Sequence, residues 1–250
     1  METGRLTSSN GIELAWQRLP GRSPAVVFLP GYRSNMNGEK ATALAALCEQ
    51  RGQTLLLFDY SGHGLSSGQF EDGTIGRWTA DALAAIDQLT EGPLVLVGSS
   101  MGGWIALLCA IARRSRIAAL VGIAAAPDFT ELLLWQALSF EQRAAMMTHG
   151  LIRLPSQYGE PTPVTRALIE DGRQHLVFNA PVELACPVRL LQGQQDPDVP
   201  WELALRLAAQ IAGTDVQLTL VKDGDHRLSR PQDLALLERT LIPLLGQDGA

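Results

Sequence analysis

The stretch Leu94-Val95-Leu96-Val97-Gly98-Ser99-Ser100-Met101-Gly102-Gly103-Trp104 decides how the rest of the chain is read. Its first four residues are apolar and half of them β-branched, which predicts a buried strand. Met101–Arg113 follows as a predicted helix. Between the two lies Gly98-x-Ser100-x-Gly102. Glycine two residues before and two after a serine lets a strand turn sharply into a helix without a Cβ clash. The serine hydroxyl then stands at a helix N-terminus, where the helix dipole favours developing negative charge. Only Ser100 fits the frame, since for Ser99 the glycine positions would fall on Val97 and Met101. An anion-binding loop at a helix start is the alternative use of the same pattern.

Outward from this turn, the alternation of strand and helix continues. Ala25–Leu29, Thr54–Phe58, Ile117–Ala124, Val188–Gln192 and Val216–Val221 read as strands. Glu39–Arg51, Thr74–Leu89, Trp201–Ile211 and Leu234–Leu245 read as helices. Strands separated by helices imply βαβ units and a mostly parallel sheet, and uninterrupted apolar strands fit burial on both faces. Asn10-Gly11 within Arg5–Leu19 is a hairpin signal, so the sheet is expected to begin with an antiparallel edge. The pattern breaks between Pro127 and Pro187. Glu131–Leu138, Glu141–Met147 and Thr165–Leu176 read as helical pieces there, punctuated by Pro155, Pro161 and Pro163. A connection of that length between parallel strands predicts a helical cap over the sheet's C-terminal edge, where open α/β sheets bind ligands.

Composition bounds the rest. The 250 residues are 46% apolar and 18% charged, with a net charge of −6, so the chain can bury a full core. No long basic run suggests nucleic acid or an anionic membrane surface. The longest apolar runs, Trp104–Ala112 and Ile117–Ala126, are far short of the roughly 18 residues of a membrane span. Cys48, Cys109 and Cys186 are scattered and form no disulfide framework. METGRLTSSNGIELAW carries neither an apolar signal segment nor an Arg-rich presequence. A cytoplasmic location is expected.

A serine nucleophile needs a base and an acid, expected after it in the order acid, then histidine. The four histidines are His63, in a turn before the serine, His149 and His175 in the cap, and His226 in DGDHR after the last strand. His226 alone has the position of the base. The acid should follow Val188–Gln192, where the sequence reads LLQGQQDPDVP. Asp196, three residues after Gly193, fits best, and Asp198 is the second choice, with capping of the next helix as its other use. Two main-chain N–H groups should hold an oxyanion: that of Met101, after the serine, and that of Tyr32, in LPGYRS after Ala25–Leu29.

Asp59-Tyr60-Ser61-Gly62-His63-Gly64 has catalytic residue types but reads as a structural turn near the site mouth. Trp104, one turn into the helix, and Trp135 and Tyr158, in the cap, are candidate substrate contacts, with packing as the alternative for each. Arg153, Arg166 and Arg173 could pair an acidic group of a substrate or be solvated. No His, Cys or Asp cluster has metal-ligand spacing and no G-x-G-x-x-G follows a strand, so no cofactor is expected.

Several stretches together, FLPGYRSNMNGEKA, FDYSGHGLSSG, GSSMGGW, LPSQYG, PVRLLQGQQDPDVPW and DGDHR, resemble the abhydrolase-domain family of palmitoyl-protein thioesterases, also described as acyl-glucuronide esterases. The likeness runs from about Pro24 to the last helix, with GSSMGGW and LPSQYG the most specific. It implies an α/β-hydrolase fold: an eight-stranded, mostly parallel sheet flanked by helices, with a small cap inserted after the sixth strand. Residues 1–126 and 187–250 would form the core and 127–186 the cap, one catalytic domain in all. The family's serine, acid and base fall on Ser100, Asp196 and His226. A bacterial cytoplasmic relative is the expected type, and 18 Arg against 2 Lys is compatible with a GC-rich genome. The expected chemistry is hydrolysis of a carboxylic ester or thioester, of a small molecule or an S-acylated protein, through an acyl-enzyme. A peptidase or C–C hydrolase on the same framework, and a non-catalytic binding module, are the alternatives.

Overall fold

The computed structural model of the chain describes residues 1–8, 10–155 and 159–246. Among them run ten strands: β1 (Glu2–Thr7), β2 (Glu13–Leu19), β3 (Arg22–Leu29), β4 (Gln53–Phe58), β5 (Leu94–Ser99), β6 (Ile117–Ile123), β7 (Leu151–Leu154), β8 (Thr162–Thr165), β9 (Val188–Gly193) and β10 (Val216–Val221). The α-helices are α1 (Glu39–Arg51), α2 (Ile75–Leu89), α3 (Met101–Ala112), α4 (Phe140–His149), α5 (Arg166–Gly172), α6 (Trp201–Gln210) and α7 (Pro231–Leu241).

Eight strands form one sheet in the order β1-β2-β4-β3-β5-β6-β9-β10. Strand β2 is antiparallel to both its neighbours, and every other pair is parallel. The expected antiparallel edge is therefore present, with Thr7 opposite Glu13 across the hairpin. After β3 the chain adds β4 on one side and then β5 on the other, so the strand order reverses there. The crevice outside such a reversal is where α/β sheets bind ligands.

The uninterrupted apolar strands are explained by two cores, one on each face. Val27, Leu29, Leu56, Phe58, Leu94 and Leu96 pack with Trp78 and Ile86 of α2, Trp104 and Leu107 of α3, and Leu203 and Leu207 of α6. Their chain neighbours Val26, Phe28, Leu55, Leu57, Val95 and Val97 pack on the opposite face with Leu44 and Leu47 of α1 and Leu237 and Leu241 of α7. Successive side chains point to opposite faces of a strand, so a strand covered on both sides must be apolar throughout.

Differences from the sequence reading have local causes. The last helix starts at Pro231, where the Asp233 carboxylate accepts from the Arg230 main-chain N–H at 3.1 Å. It tightens to a 3₁₀ turn over Ile242–Leu245, because Pro243 has no N–H for the next α-helical bond. Between β6 and β9, the segment expected to be wholly helical also carries an antiparallel hairpin, β7–β8, with Leu154 opposite Thr162 and Leu151 opposite Thr165. Thr162, Val164 and Thr165 are β-branched and Pro163 bars an α-helical bond, so the strand ends before α5 begins. Glu131–Leu138 is not one α-helix but a wide turn over Thr130–Leu134 and a 3₁₀ turn over Trp135–Ala137. Ser139 then starts α4 with a capping box to Gln142. No helix among the described residues is long and apolar enough to cross a membrane.

Candidate active site

The turn from β5 into α3 is as tight as its sequence demands. Ser100 sits at φ 55° and ψ −120°, a left-handed conformation rare for a residue with a side chain. Its backbone is pinned on both sides: Ser100 N–H donates to Ile123 O at 2.9 Å, and Ser100 O accepts from Gly103 N–H at 2.9 Å and Ala126 N–H at 3.1 Å. A Cβ on Gly102 would fall 2.0 Å from Leu29 O, and one on Gly98 would fall 2.3 Å from Gly102 O. Both glycines are therefore required by close backbone approach.

His226, in the loop after β10, brings Nε2 to 3.1 Å from Ser100 Oγ. Its Nδ1 lies 2.8 Å from Asp196 Oδ2, in the loop after β9. A carboxylate only accepts, so Nδ1 carries the hydrogen and Nε2 is free to accept the serine hydroxyl. The Asp196 side chain is fully shielded from solvent. Oδ1 accepts from the N–H groups of Asp198 and Val199, both at 2.9 Å, and Oδ2 also accepts from Gln192 Nε2 at 2.9 Å. Burial is the largest single influence on Asp196 and raises its pKa. The His226 hydrogen bond and charge, with the Val199 and Asp198 N–H groups, outweigh it and hold the carboxyl below its ordinary range. Asp198, the second choice, gives its main-chain N–H to Asp196 and is among the residues lining the cavity. Asp196, Asp198 and His226 have ligand atoms within 4.8 Å of one another, as a metal ion would require. With four N–H donors already on Asp196, the group is built instead as a hydrogen-bonded acid–base pair.

The residues expected to supply the oxyanion donors, Tyr32 and Met101, line the same cavity as Ser100. Met101 is the first residue of α3, so its N–H has no acceptor within the helix. Gly31, the residue before Tyr32, packs against the serine, a Cβ there falling 3.3 Å from Ser100 Cβ. A cavity of about 1020 Å³ opens over Ser100. Its lining includes the apolar residues Phe129, Leu133, Leu134, Leu154 and Val164 and the charged residues Arg33, Glu39, Lys40 and Arg227.

For two of the candidate substrate contacts the structure favours the packing alternative. Trp104 does not line the cavity; it is fully buried, donates from its indole to His175 O at 3.1 Å, and packs edge-on against Phe129. Trp135 does not line it either, and instead lies under the guanidinium groups of Arg173 at 4.8 Å and Arg143 at 5.2 Å. Tyr158 lies outside the described residues. Arg153, Arg166 and Arg173 are paired with Glu71, Glu170 and Glu131, and none of the three lines this cavity.

The sequence reading missed two supporting residues, Gln192 and Lys40. Gln192 is a polar residue ending an otherwise apolar strand, a signal that was legible. Lys40 donates to Arg227 O and to Ser229 Oγ, at 2.5 Å and 3.2 Å. Asp59 and His63, placed in a structural turn, brace the loop that carries Tyr32. Asp59 accepts from Met36 N–H at 2.7 Å and from Leu65 N–H at 2.8 Å. His63 Nδ1 faces Ser61 O and Nε2 accepts from Arg33 N–H at 3.3 Å, so the ring is neutral. Burial, offset only in part by the Ser61 bond, lowers its pKa to about 4.

Residues 26–236 match the model of the alpha/beta hydrolase family. The chain is 41% identical over 234 residues to the mitochondrial palmitoyl-protein thioesterase ABHD10 of Bos taurus, covering 93% of this chain and 76% of that protein. Its fold superposes on a putative hydrolase from Agrobacterium vitis S4 with a TM-score of 0.95 and 42% identity, covering 98% and 99% of the two chains. The mouse alpha/beta hydrolase domain-containing protein 10 superposes with a TM-score of 0.90 and 39% identity, covering 98% of each.

Proposed function

The chain belongs to the alpha/beta hydrolase family and, within it, groups with the ABHD10 proteins, and from that premise we propose that it is a serine hydrolase of carboxylic esters and thioesters. The observation that carries the proposal is the unbroken line from Ser100 Oγ through the His226 ring to Asp196, with contacts of 3.1 Å and 2.8 Å.

In this mechanism His226 Nε2 takes the proton of Ser100 as Oγ attacks the acyl carbonyl. Asp196 fixes the ring with Nδ1–H toward itself and stabilises the imidazolium. The N–H groups of Tyr32 and Met101 receive the oxyanion, and one such donor typically contributes roughly 10²–10³ in rate. His226 returns the proton to the departing alcohol or thiol. Water, deprotonated by the same ring, then hydrolyses the acyl-enzyme. No step calls on a cofactor.

The acyl chain lies along Phe129, Leu133, Leu134, Leu154 and Val164, and the leaving group faces the charged lining residues Glu39, Lys40 and Arg227. Residues 127–186 act as a cap that supplies this apolar wall. The substrate is an acyl ester or thioester of a small molecule, or an S-acylated protein. The thioesterase name of the ABHD10 relatives favours the thioester.

The test is kcat/KM of the purified protein on a medium-chain acyl thioester, its oxygen ester and a matched acyl glucuronide, with Ser100→Ala as blank. Turnover is expected to vanish in the variant, together with labelling by a fluorophosphonate probe. Ester hydrolysis that survives in Ser100→Ala sinks the proposal. A thioester preference above about tenfold, beyond the uncatalysed bias, assigns the enzyme to deacylation of thioesters. Comparable rates on all three make it a broad carboxylesterase.

A further inference from the structure

The loop Pro30–Met36 that carries the Tyr32 N–H is anchored at two levels. Its inner anchors belong to the core: His63 accepts from Arg33 N–H and buried Asp59 accepts from Met36 N–H. Its outer anchors belong to the β7–β8 hairpin. The Tyr32 hydroxyl donates to Pro163 O at 2.9 Å. The Arg33 guanidinium donates from one nitrogen to Glu160 O at 2.8 Å and to Thr162 Oγ1 at 3.1 Å.

Two of these outer acceptors, Pro163 O and Thr162 Oγ1, sit on β8, the strand that forms part of the acyl wall, and Glu160 O lies just before it. Thr162 and Val164 flank Pro163 in β8 and line the cavity, with Leu154 paired opposite Thr162. A short path therefore joins the apolar wall to the oxyanion site: Val164 and Thr162, the Pro163 carbonyl between them, the Tyr32 hydroxyl, and the Tyr32 main chain. The Tyr32 ring is rigid in this path, because it packs edge-on against Phe70 at 4.9 Å, Phe129 at 5.7 Å and Trp78 at 5.8 Å. Arg33 holds φ 58°, a conformation that persists only where its surroundings enforce it.

We propose that the Tyr32 hydroxyl and the Arg33 guanidinium couple the acyl wall to the oxyanion donor, so that an acyl chain seated against Thr162 and Val164 steadies the Tyr32 N–H and raises turnover. Both side chains are positioning residues. Acetyl esters are too short to use this coupling fully, whereas medium-chain esters fill the wall. The inference rests on the serine hydrolase reading above.

The test compares kcat and KM on p-nitrophenyl acetate and p-nitrophenyl octanoate for the wild type, Ser100→Ala, Tyr32→Phe and Arg33→Ala. The wild type is expected to turn over the octanoate faster. Tyr32→Phe is expected to lose about tenfold of kcat on octanoate but only about two- to threefold on acetate, with octanoate KM within about twofold. Equal losses on the two esters, or none, overturn the inference. Arg33→Ala truncates an exposed side chain, so it keeps the test decisive should Tyr32→Phe lower Tm; the same change in the octanoate-to-acetate kcat ratio is expected, and an unchanged ratio in both variants overturns the coupling. A wild type with no Ser100-dependent turnover of either ester sinks the hydrolase reading itself. Ser100-dependent turnover with an unaltered chain-length ratio sinks the coupling alone.

Discussion

Gln192 donates its side-chain amide to Asp196 Oδ2 at 2.9 Å, the same oxygen that faces His226 Nδ1 at 2.8 Å. The amide also donates to Val199 O at 3.1 Å, and the residue is fully buried at the end of β9. Gln192 thus sets the rotation of the carboxylate about its bond to the chain. Gln192→Met keeps the volume and removes these donations and a third, to Gly193 O at 3.3 Å. The expected outcome is a kcat lower by about tenfold with little change in KM, and a stability loss of about 1–2 kcal/mol from the unpaired acceptors. Steady-state kinetics and urea denaturation check the two parts. An unchanged kcat would mean that the Val199 and Asp198 N–H groups orient Asp196 unaided.

Lys40 holds the loop beyond His226 through the carbonyl of Arg227. Burial, with the charge of Arg227 second, lowers its pKa from 10.5 to about 8. The buried ammonium opposes folding below about pH 8, and the opposition fades as pH rises from there to the unfolded value, because the unfolded chain then binds the extra proton. Lys40→Met should therefore flatten the rise in Tm between pH 8 and 10, and lower kcat/KM severalfold at pH 7 through a looser His226 loop. A variant with wild-type kinetics and the same pH slope would contradict both.

How much of this was legible depends on which interactions carry it. The strand-turn-helix around Ser100 is local, so Gly98, Gly102 and the flanking apolar pattern suffice to predict it. Chain order then places His226 and Asp196, because β9 and β10 run parallel to β5, beyond β6, and so end at the same edge of the sheet. The supporting residues rest on contacts far apart in sequence, such as Lys40 with Arg227, Met36 with Asp59, and Tyr32 with Pro163. No periodicity reports these. Trp104 shows the opposite failure: one turn from the serine along α3, it faces the core beneath the sheet, and helical spacing alone does not reveal which face holds the substrate.

The strained serine makes its own prediction. At φ 55° a side chain costs on the order of 1 kcal/mol or more, which glycine avoids. Ser100→Gly and Ser100→Ala should both be inactive, yet the glycine variant should be the more stable by about 1 kcal/mol, after allowance for glycine's greater freedom in the unfolded chain. Gly102→Ala should cost about 3 kcal/mol or more, since its methyl group meets the Leu29 carbonyl rather than a yielding side chain. Thermal denaturation of the three variants orders them, and an alanine at 102 that folds with wild-type Tm would refute the close approach.

His63 should make the fold sensitive to acid. It is 4% exposed, its ring lies edge-on to Tyr60, Phe70 and Trp78, and its pKa falls from 6.5 to about 4. Above pH 6.5 the ring is neutral in both states and its contribution is complete. As pH falls toward 4 the unfolded chain gains a proton that the folded chain refuses, so stability is lost across that window, by at most about 3 kcal/mol for this group. His63→Gln keeps an acceptor for Arg33 N–H but cannot titrate. It should be less stable than the wild type at pH 7, because the bond to Ser61 O is gone, yet lose less stability on going to pH 4. Urea denaturation at pH 7, 5.5 and 4 measures both slopes. Parallel losses in the two proteins would show that acid sensitivity lies elsewhere, whereas a smaller slope in the variant ties it to the histidine that braces the Tyr32 loop.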